Sequence, residues 1–494
     1  MEIEGPMPRG QPRVLQAMDA ERTQSYHFLA CAIAGMGFFT DAYDLFSISL
    51  VIIAQCGGLR RLHVTAAITS IALFGTVPGA LIFGWLGDKI GRKRIYGVTL
   101  ILMVVSSLAS ALSFSEGTGN RVVTVCFFRF WLGFGIGGDY PLSATIMSEY
   151  SNTRRRGAFM AAIFAMQGFG ILVAGFVTMI VWLAFKDDPS CKADDYIWRI
   201  VLMIGAVPAA FTYYFRMKMP ETARFTALIA HDENRASSDM STVFDFHMVP
   251  EDHAVNELAR QDQYGLFSKE FLQRHGIHLI GTTVCWLLVD ITFYSLNLFL
   301  TDTDDTDDNK EVKRLTIIKI LEVTGITLVG TLPGYFFSVA LADRIGRIKI
   351  QFLGFTMMSF LTAGLATLYY HGIRRWLEAV YAFTLFFANF GPNTTTFIIP
   401  AEIFPARLRS TCHGISTAVG KIGAIIGVFG FLYKRKQMLF ALIGCNVFGI
   451  IFTFFLPESK GKSLEEITGE MEEQQHQDGA QPADTEFVFT PIEV

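Results

Sequence analysis

The side chains able to do chemistry in this chain are charges set inside apolar runs. An ionisable group at mid-membrane depth is costly unless it faces a partner or a wet cavity, so Asp41, Asp44, Arg129, Asp139, Asp290 and Lys421 mark functional positions by default. Asp41 and Asp44 are three apart and share one helical face. Two ionised carboxylates there repel, and an exchangeable proton held by the pair relieves the repulsion. A hydrated Asp44 at a helix mouth is the plainer alternative. Arg129 and Asp139 stand ten residues apart, about 15 Å along a helix, too far for a local pair. Trp286, Asp290 and Tyr294 recur at i, i+4 and i+8 and line one face. Trp and Tyr alone would be packing; an Asp between them points to a polar cavity. Tyr140 precedes Pro141, which lacks an N–H donor and loosens its helix, and Gly391, Pro392 and Asn393 make a similar break.

The elements that must position these residues are membrane spans. The chain has 494 residues, 51% hydrophobic and only 17% charged, against about 25% charged in a soluble protein. Uncharged runs long enough to cross a bilayer recur at 64–87, 95–115, 157–185, 323–342, 350–370, 379–401 and 437–457. Spans with a few interior charges at 28–59, 127–145, 279–301 and 410–433, and a shorter run at 200–215, bring the number to twelve. The expected fold is an all-α integral membrane protein of 12 transmembrane helices in two pseudo-symmetric six-helix bundles, with the lipid bilayer as a partner. The expected partition is a cytoplasmic N-terminal segment at 1–25, bundles at 26–217 and 276–456, a polar linker at 218–275 and an acidic tail at 457–494. The first span contains Asp41 and Asp44 and is too long for a signal-peptide core, so it reads as the first helix. A net charge of -4 favours no nucleic-acid partner, and the 7 Cys show no paired or metal-binding spacing. Lys and Arg are more frequent in the termini, the linker and the loops on their side, which favours both termini inside. The acidic cluster at 301–308 then faces outward.

Internal repetition supports two halves. DKIGRKR at Asp88–Arg94 returns as DRIGRIK at Asp343–Lys349, and Glu149 after the fourth span matches Glu402 after the tenth. Asp139 and Gln167 return as Asn393 and Lys421 at one offset of 254 (393 − 139 and 421 − 167). Sites in folds with such parallel repeats lie at the repeat interface near the midplane, so this symmetry selects Asp139, Gln167, Asn393 and Lys421 as central. Asp88, Arg92, Asp343 and Arg347 read as cytoplasmic gate and tight-turn residues instead.

The DxxGR repeat, the Pro220-Glu221 pair and PESKGKSLEEI at Pro457–Ile467 resemble the major facilitator superfamily over almost the whole chain. More specific strings are GMGFFTDAYDLF at Gly35–Phe46, GGDYPLSATIMSE at Gly137–Glu149, FGPNTTTFIIPAEIFP at Phe390–Pro405 and STCHGIS at Ser410–Ser416. Together they resemble the phosphate:proton symporters of plants and fungi, with LQAMDAERTQSYHF closest to the plant branch. The connection AQCGGLRRLH at Ala54–His63 is shorter than in that family. The resemblance implies proton-coupled import of inorganic phosphate across the plasma membrane, without a cofactor, and with arsenate as a mimic. It implies phosphate contacts from Tyr140, Gln167, Trp286, Asp290, Tyr294 and Asn393, with Lys421 an added basic contributor. It further implies that Arg129 communicates with the acidic first helix and that Asp139 binds and releases the coupled proton. A static ion pair is the alternative for Arg129. Phosphate near neutral pH still carries hydroxyl protons, so an ionised Asp290 accepts one, whereas sulfate has none to offer. Two rival readings share these motifs: a facilitator of another solute, and a phosphate receptor with little net transport. No Ser-His-Asp arrangement, metal cluster or nucleotide loop supports an enzyme.

Overall fold

The computed structural model describes residues 25–54, 62–113, 118–185, 191–230, 232, 235–236, 238–239, 264–301, 318, 320–373 and 375–469. The expectations for 1–24, for the acidic cluster beyond Thr301, for most of the linker, for the short connection after Ala54 and for the tail beyond 469 lie outside the described residues.

The first half is built of α1 (Ser25–Ala54), α2 (Leu62–Ile90), α3 (Arg92–Ala111), α4 (Thr118–Tyr150), α5 (Arg156–Phe185) and α6 (Cys191–Lys218). The second half opens with α7 (Lys269–Thr301). A span over Ile320–Ile345 follows, in which a π-helical turn at Thr327–Thr331 leads into α8 (Leu332–Ile345). Then come α9 (Arg347–Tyr370), α10 (Leu377–Asn389), α11 (Pro392–Ile403) and α12 (Arg409–Thr453), with a short α13 (Leu464–Thr468) beyond the spans. Among the described residues, 10 helices are long and apolar enough to cross a membrane. The broken pair α10–α11 and the second arm of α12 complete the twelve.

Two elements depart from a simple span count. The helical backbone of α12 runs through 45 residues but folds back on itself. Adjacent turns of α7 bond both arms, Ser295 donating to the Gly427 carbonyl (3.1 Å) and Thr292 to Asn446 (3.2 Å). A straight helix would hold Gly427 and Asn446 about 28 Å apart. At Phe390–Gly391 the tenth span breaks as expected, while α4 continues through Pro141 without interruption.

Gly91 and Gly346 make the turns into α3 and α9 at φ of 117° and 105°, values open to glycine and strained for other residues. Beside them, Glu221 accepts from the Lys93 N–H, and Glu458 accepts from those of Arg347 and Ile348. Each carboxylate thereby covers the positive end of the helix that follows. The halves meet where α2 packs along α12 and α5 packs along α8, and the polar side chains described next converge between these seams.

Candidate functional site

In the second half, Lys421 projects from the first arm of α12, and its Nζ donates to Asp290 Oδ2 (3.0 Å) and to the Tyr294 hydroxyl (3.2 Å) on α7. The ammonium also lies over the rings of Tyr140 (4.9 Å) and Tyr294 (5.0 Å). Lys421 and Asp290 are 3% and 1% exposed, so the pair stands in the low-dielectric interior, where a charge persists only with a partner. Tyr140 belongs to α4 of the other half, and its hydroxyl accepts from Gln167 Nε2 on α5 at 2.8 Å. Four helices from both halves thus supply one continuous set of contacts. Asn393, in the first turn of α11, donates from Nδ2 to the Tyr335 hydroxyl (3.1 Å) and to Asn389 Oδ1 (2.7 Å). Trp286 lies one turn of α7 before Asp290, edge-on to the His413 ring at 5.4 Å.

The acidic residues of the first half form a second group. Asp139 is bound by both terminal nitrogens of Arg216, one of them at 3.1 Å, and Ser143 donates to it at 3.4 Å. Arg216 rests on the Tyr96 ring at 3.6 Å. A methyl group on Gly37 of α1 would overlap both Arg216 and Asp139, so the ends of those side chains would have to shift to admit it. Asp41 is fully buried, and neither of its carboxylate oxygens has a hydrogen-bond partner among the described residues. Its charged neighbours are Asp139, Arg216, Asp44 and Lys421, which puts it between the two groups. Asp44 accepts from Ser107 at 3.5 Å, and Arg129 donates to the Asp44 backbone carbonyl at 3.3 Å.

Of the four residues chosen by repeat symmetry, Gln167 joins the Lys421 group directly through Tyr140, while Asn393 binds Tyr335 and Asn389. Asp139 does not join it. The reason is Arg216, which the sequence reading left out by ending the sixth span at Phe215. The helix continues to Lys218 and carries a guanidinium to the carboxylate, in the two-pronged geometry such pairs favour. Tyr335 and Asn389 were also missed. An apolar span containing one Tyr, or one Asn at a helix end, gives no signal in sequence.

At the DxxGR end, each aspartate crosses to the opposite half. Asp88 accepts from the Ser410 (3.3 Å) and Thr411 (2.7 Å) amides at the start of α12. Asp343 accepts from the Gly157 (3.0 Å) and Ala158 (2.7 Å) amides at the start of α5. Arg92 contacts Asp88 (3.2 Å), Glu149 (3.3 Å) and the Ala406 carbonyl (2.7 Å), and Arg347 contacts Asp343 (2.9 Å) and Glu402 (2.8 Å). Beyond the spans, Arg224 binds Glu465 of α13 at 2.8 Å. Burial pushes the Glu465 carboxyl up, and the Arg224 charge and hydrogen bond together with the Arg409 charge outweigh it and hold that carboxyl below its usual range.

Comparison with known proteins agrees with this architecture. Residues 30–470 match the model of the family described as "Sugar (and other) transporter". A rice protein (Oryza sativa subsp. japonica) named inorganic phosphate transporter 1-13, a name it carries provisionally, is 61% identical over 95% of this chain and 96% of its own length. Another, inorganic phosphate transporter 1-6 of the same organism, is 50% identical over 94% and 96%. Among solved structures, the major facilitator proton:xylose symporter XylE with a bound bromodeoxyglucose superposes with a TM-score of 0.72 at 20% identity, covering 90% of this chain and 99% of that one. That likeness is one of fold.

Proposed function

The chain belongs to the sugar (and other) transporter family, as a multi-pass membrane protein of major facilitator fold, and we propose that it carries inorganic phosphate into the cell with protons by alternating access. The observation that carries this reading is the buried Lys421–Asp290–Tyr294 set facing Tyr140 and Gln167 across the two halves. It unites one cation, one strong acceptor and several hydroxyl and amide groups around the place where the halves meet. The names of the rice relatives agree with it.

Phosphate with hydroxyl protons gives one to Asp290, which when ionised only accepts, and turns its bare oxygens to Lys421 and to the Tyr140 and Tyr294 hydroxyls. Lys421 carries three N–H donors and uses two of them, leaving one for the anion. Trp286 walls the site on the DxxGR side, and Gln167 and Asn393 complete it. Sulfate, with no proton to give, would leave the Asp290 acceptor facing bare oxygens and be rejected. Arsenate, with the same protons and shape, would be accepted as a mimic.

Proton coupling falls to Asp41, Asp44 and Asp139, with Arg129 acting on the Asp44 turn. Asp41 holds the proton and exchanges it with Asp139; a proton on Asp139 takes the place of Arg216, and its departure lets the guanidinium close again. Because Lys421 is also a charged neighbour of Asp41, the state of the acids is felt where the anion sits. One negative charge entering a negative-inside cell costs about 2.3 kcal/mol per 100 mV, so one accompanying proton neutralises the step and two make it favourable. Asp88, Arg92, Asp343 and Arg347 form the cytoplasmic gate, whose cross-half contacts must part when the site opens inward. On this reading both termini, the linker at 218–275 and the tail from 457 lie in the cytoplasm, the bundles at 26–217 and 276–456 stand on either side of the path, and the protein resides in the plasma membrane.

The test is uptake of labelled phosphate into proteoliposomes under an imposed acid-outside gradient, with sulfate as competitor. Accumulation that collapses with the gradient, resists sulfate and is lost in Asp290→Asn and Asp139→Asn is expected. Phosphate binding without uptake, or gradient-independent accumulation, would sink the proposal.

A further inference from the structure

The orientation of the Asn393 amide is fixed by its neighbours, and it determines which atom Asn393 turns to a ligand. Asn389 donates from Nδ2 to the Leu385 carbonyl at 2.8 Å, so its Oδ1 points the other way and needs a donor. That donor is Asn393 Nδ2, at 2.7 Å. The second proton on Asn393 Nδ2 goes to the Tyr335 hydroxyl at 3.1 Å. A primary amide has two N–H donors, and both are now used. Reversing the amide would bring two oxygens together at Asn389, so the network itself chooses this orientation. Asn393 Oδ1 is left with no donor among the described residues, in a residue 4% exposed. Tyr335 is fully buried, and Tyr294, Lys421 and Asp290 are its charged or ionisable neighbours, which keeps the relay against the Lys421 group.

We propose that Tyr335 and Asn389 are positioning residues that turn the Asn393 amide so that it reads a hydroxyl of the substrate through Oδ1 instead of donating to a bare oxygen. The inference rests on the phosphate reading above and deepens it. The site then holds two acceptors, Asp290 and Asn393 Oδ1, and so selects the form of phosphate that carries two protons. A fully deprotonated tetrahedral anion leaves both acceptors facing lone pairs. A site built to accept from a substrate hydroxyl discriminates strongly against an analogue that lacks it, because its own polar atoms are left unpaired.

The experiment measures phosphate uptake and its inhibition by sulfate in proteoliposomes holding the full chain, comparing wild type with Tyr335→Phe, Asn389→Ala and Phe164→Leu. Phe164 packs edge-on to Tyr335 (5.9 Å between ring centres) and its side chain has no hydrogen-bonding atom, so its variant reports the loss of packing alone. Asn389→Ala removes the acceptor that holds the Asn393 amide and lets it turn an N–H to the ligand, whereas Tyr335→Phe removes one of its two anchors and leaves Asn389 holding the other. In Asn389→Ala sulfate should gain on phosphate, the ratio of sulfate Ki to phosphate KM falling roughly five- to tenfold, the worth of one hydrogen bond, and in Tyr335→Phe the ratio should fall in the same direction by less. In Phe164→Leu that ratio should hold even where uptake declines. An unchanged ratio in the first two variants, with wild-type phosphate uptake intact, overturns this inference alone. A wild-type chain that fails to take up phosphate overturns the functional reading, and this inference with it.

Discussion

Each half of the molecule buries a carboxylate against a cation, Asp139 against Arg216 in the first and Asp290 against Lys421 in the second, and the two pairs are built differently. Arg216 closes on Asp139 with both terminal nitrogens, within one half, over the Tyr96 ring. Lys421 spends one contact on Asp290 and one on Tyr294, and faces Tyr140 from the other half. Their surroundings differ too. The first pair has an unpartnered acid beside it in Asp41, whereas the second has hydroxyl and amide groups. A closed two-pronged pair changes only when a proton replaces the guanidinium, and a spare acid nearby can supply it. An ammonium with an unused N–H can take an additional anion without giving up its partner. On the proposed function, this difference is what would assign proton exchange to the first half and anion binding to the second.

The comparison breaks most visibly at the two cations. Lys421→Met strands Asp290 in the interior, a change worth about 3–5 kcal/mol. It should abolish both gradient-driven accumulation and phosphate counterflow, the exchange of labelled for unlabelled phosphate without a proton gradient. Arg216→Met should abolish accumulation alone and keep counterflow within about tenfold of wild type, the difference of roughly 1.4 kcal/mol being what the anion site would feel indirectly. Counterflow lost equally in both would erase the distinction between the pairs.

Asp41→Asn is the next largest effect. An amide cannot carry an exchangeable proton, so phosphate-evoked external alkalinisation should vanish and accumulation should fall to the level reached without a pH gradient, while counterflow continues. Gly37→Ala sharpens the same point sterically. Its methyl would overlap Arg216 and Asp139, and overpacking of this kind costs about 1–3 kcal/mol. Thermal unfolding should shift downward, and accumulation should weaken more than counterflow, since the damage falls on the first pair.

The sequence carries the fold and the chemistry of the second pair more fully than the layout of the first. Apolar run length, the DxxGR repeat and the i, i+4, i+8 spacing of Trp286, Asp290 and Tyr294 are local properties that survive in a string. Lys421 was legible because its counterpart Gln167 sits at the repeat offset. Asp139 was singled out by the same rule and assigned to the centre, yet its position is decided by Arg216, a long side chain from another helix beyond the end of an apolar run. Tyr335 and Asn389 left no trace for a similar reason. Their effect lies in which of its two amide atoms Asn393 turns outward, and that depends on distances between helices. The crossing of Asp88 to α12 and Asp343 to α5 was equally hidden, although the repeat identified both residues.

The clamp at the DxxGR end belongs to neither pair, so it should affect accumulation and counterflow by the same factor. Removing one carboxylate cap from a helix start costs about 1 kcal/mol, roughly fivefold, for Asp88→Asn or Asp343→Asn. Glu465→Gln acts at the same end: its amide keeps an acceptor for the buried Arg224 and removes the opposing charge. Its pH dependence follows from the sign of the shift. Glu465 is held below the usual carboxylate range in the folded protein, so the contact contributes fully above the unfolded value, about 4.3, and is lost only as the pH falls through the lower folded value. Across a pH of about 5.5 to 7.5 on the DxxGR side the carboxylate stays charged in both states. The rate of Glu465→Gln relative to wild type should therefore be constant over that interval, for accumulation and counterflow alike. A ratio that moved with pH for accumulation alone would tie this contact to the proton-exchanging half and remove the clamp's independence from the two pairs.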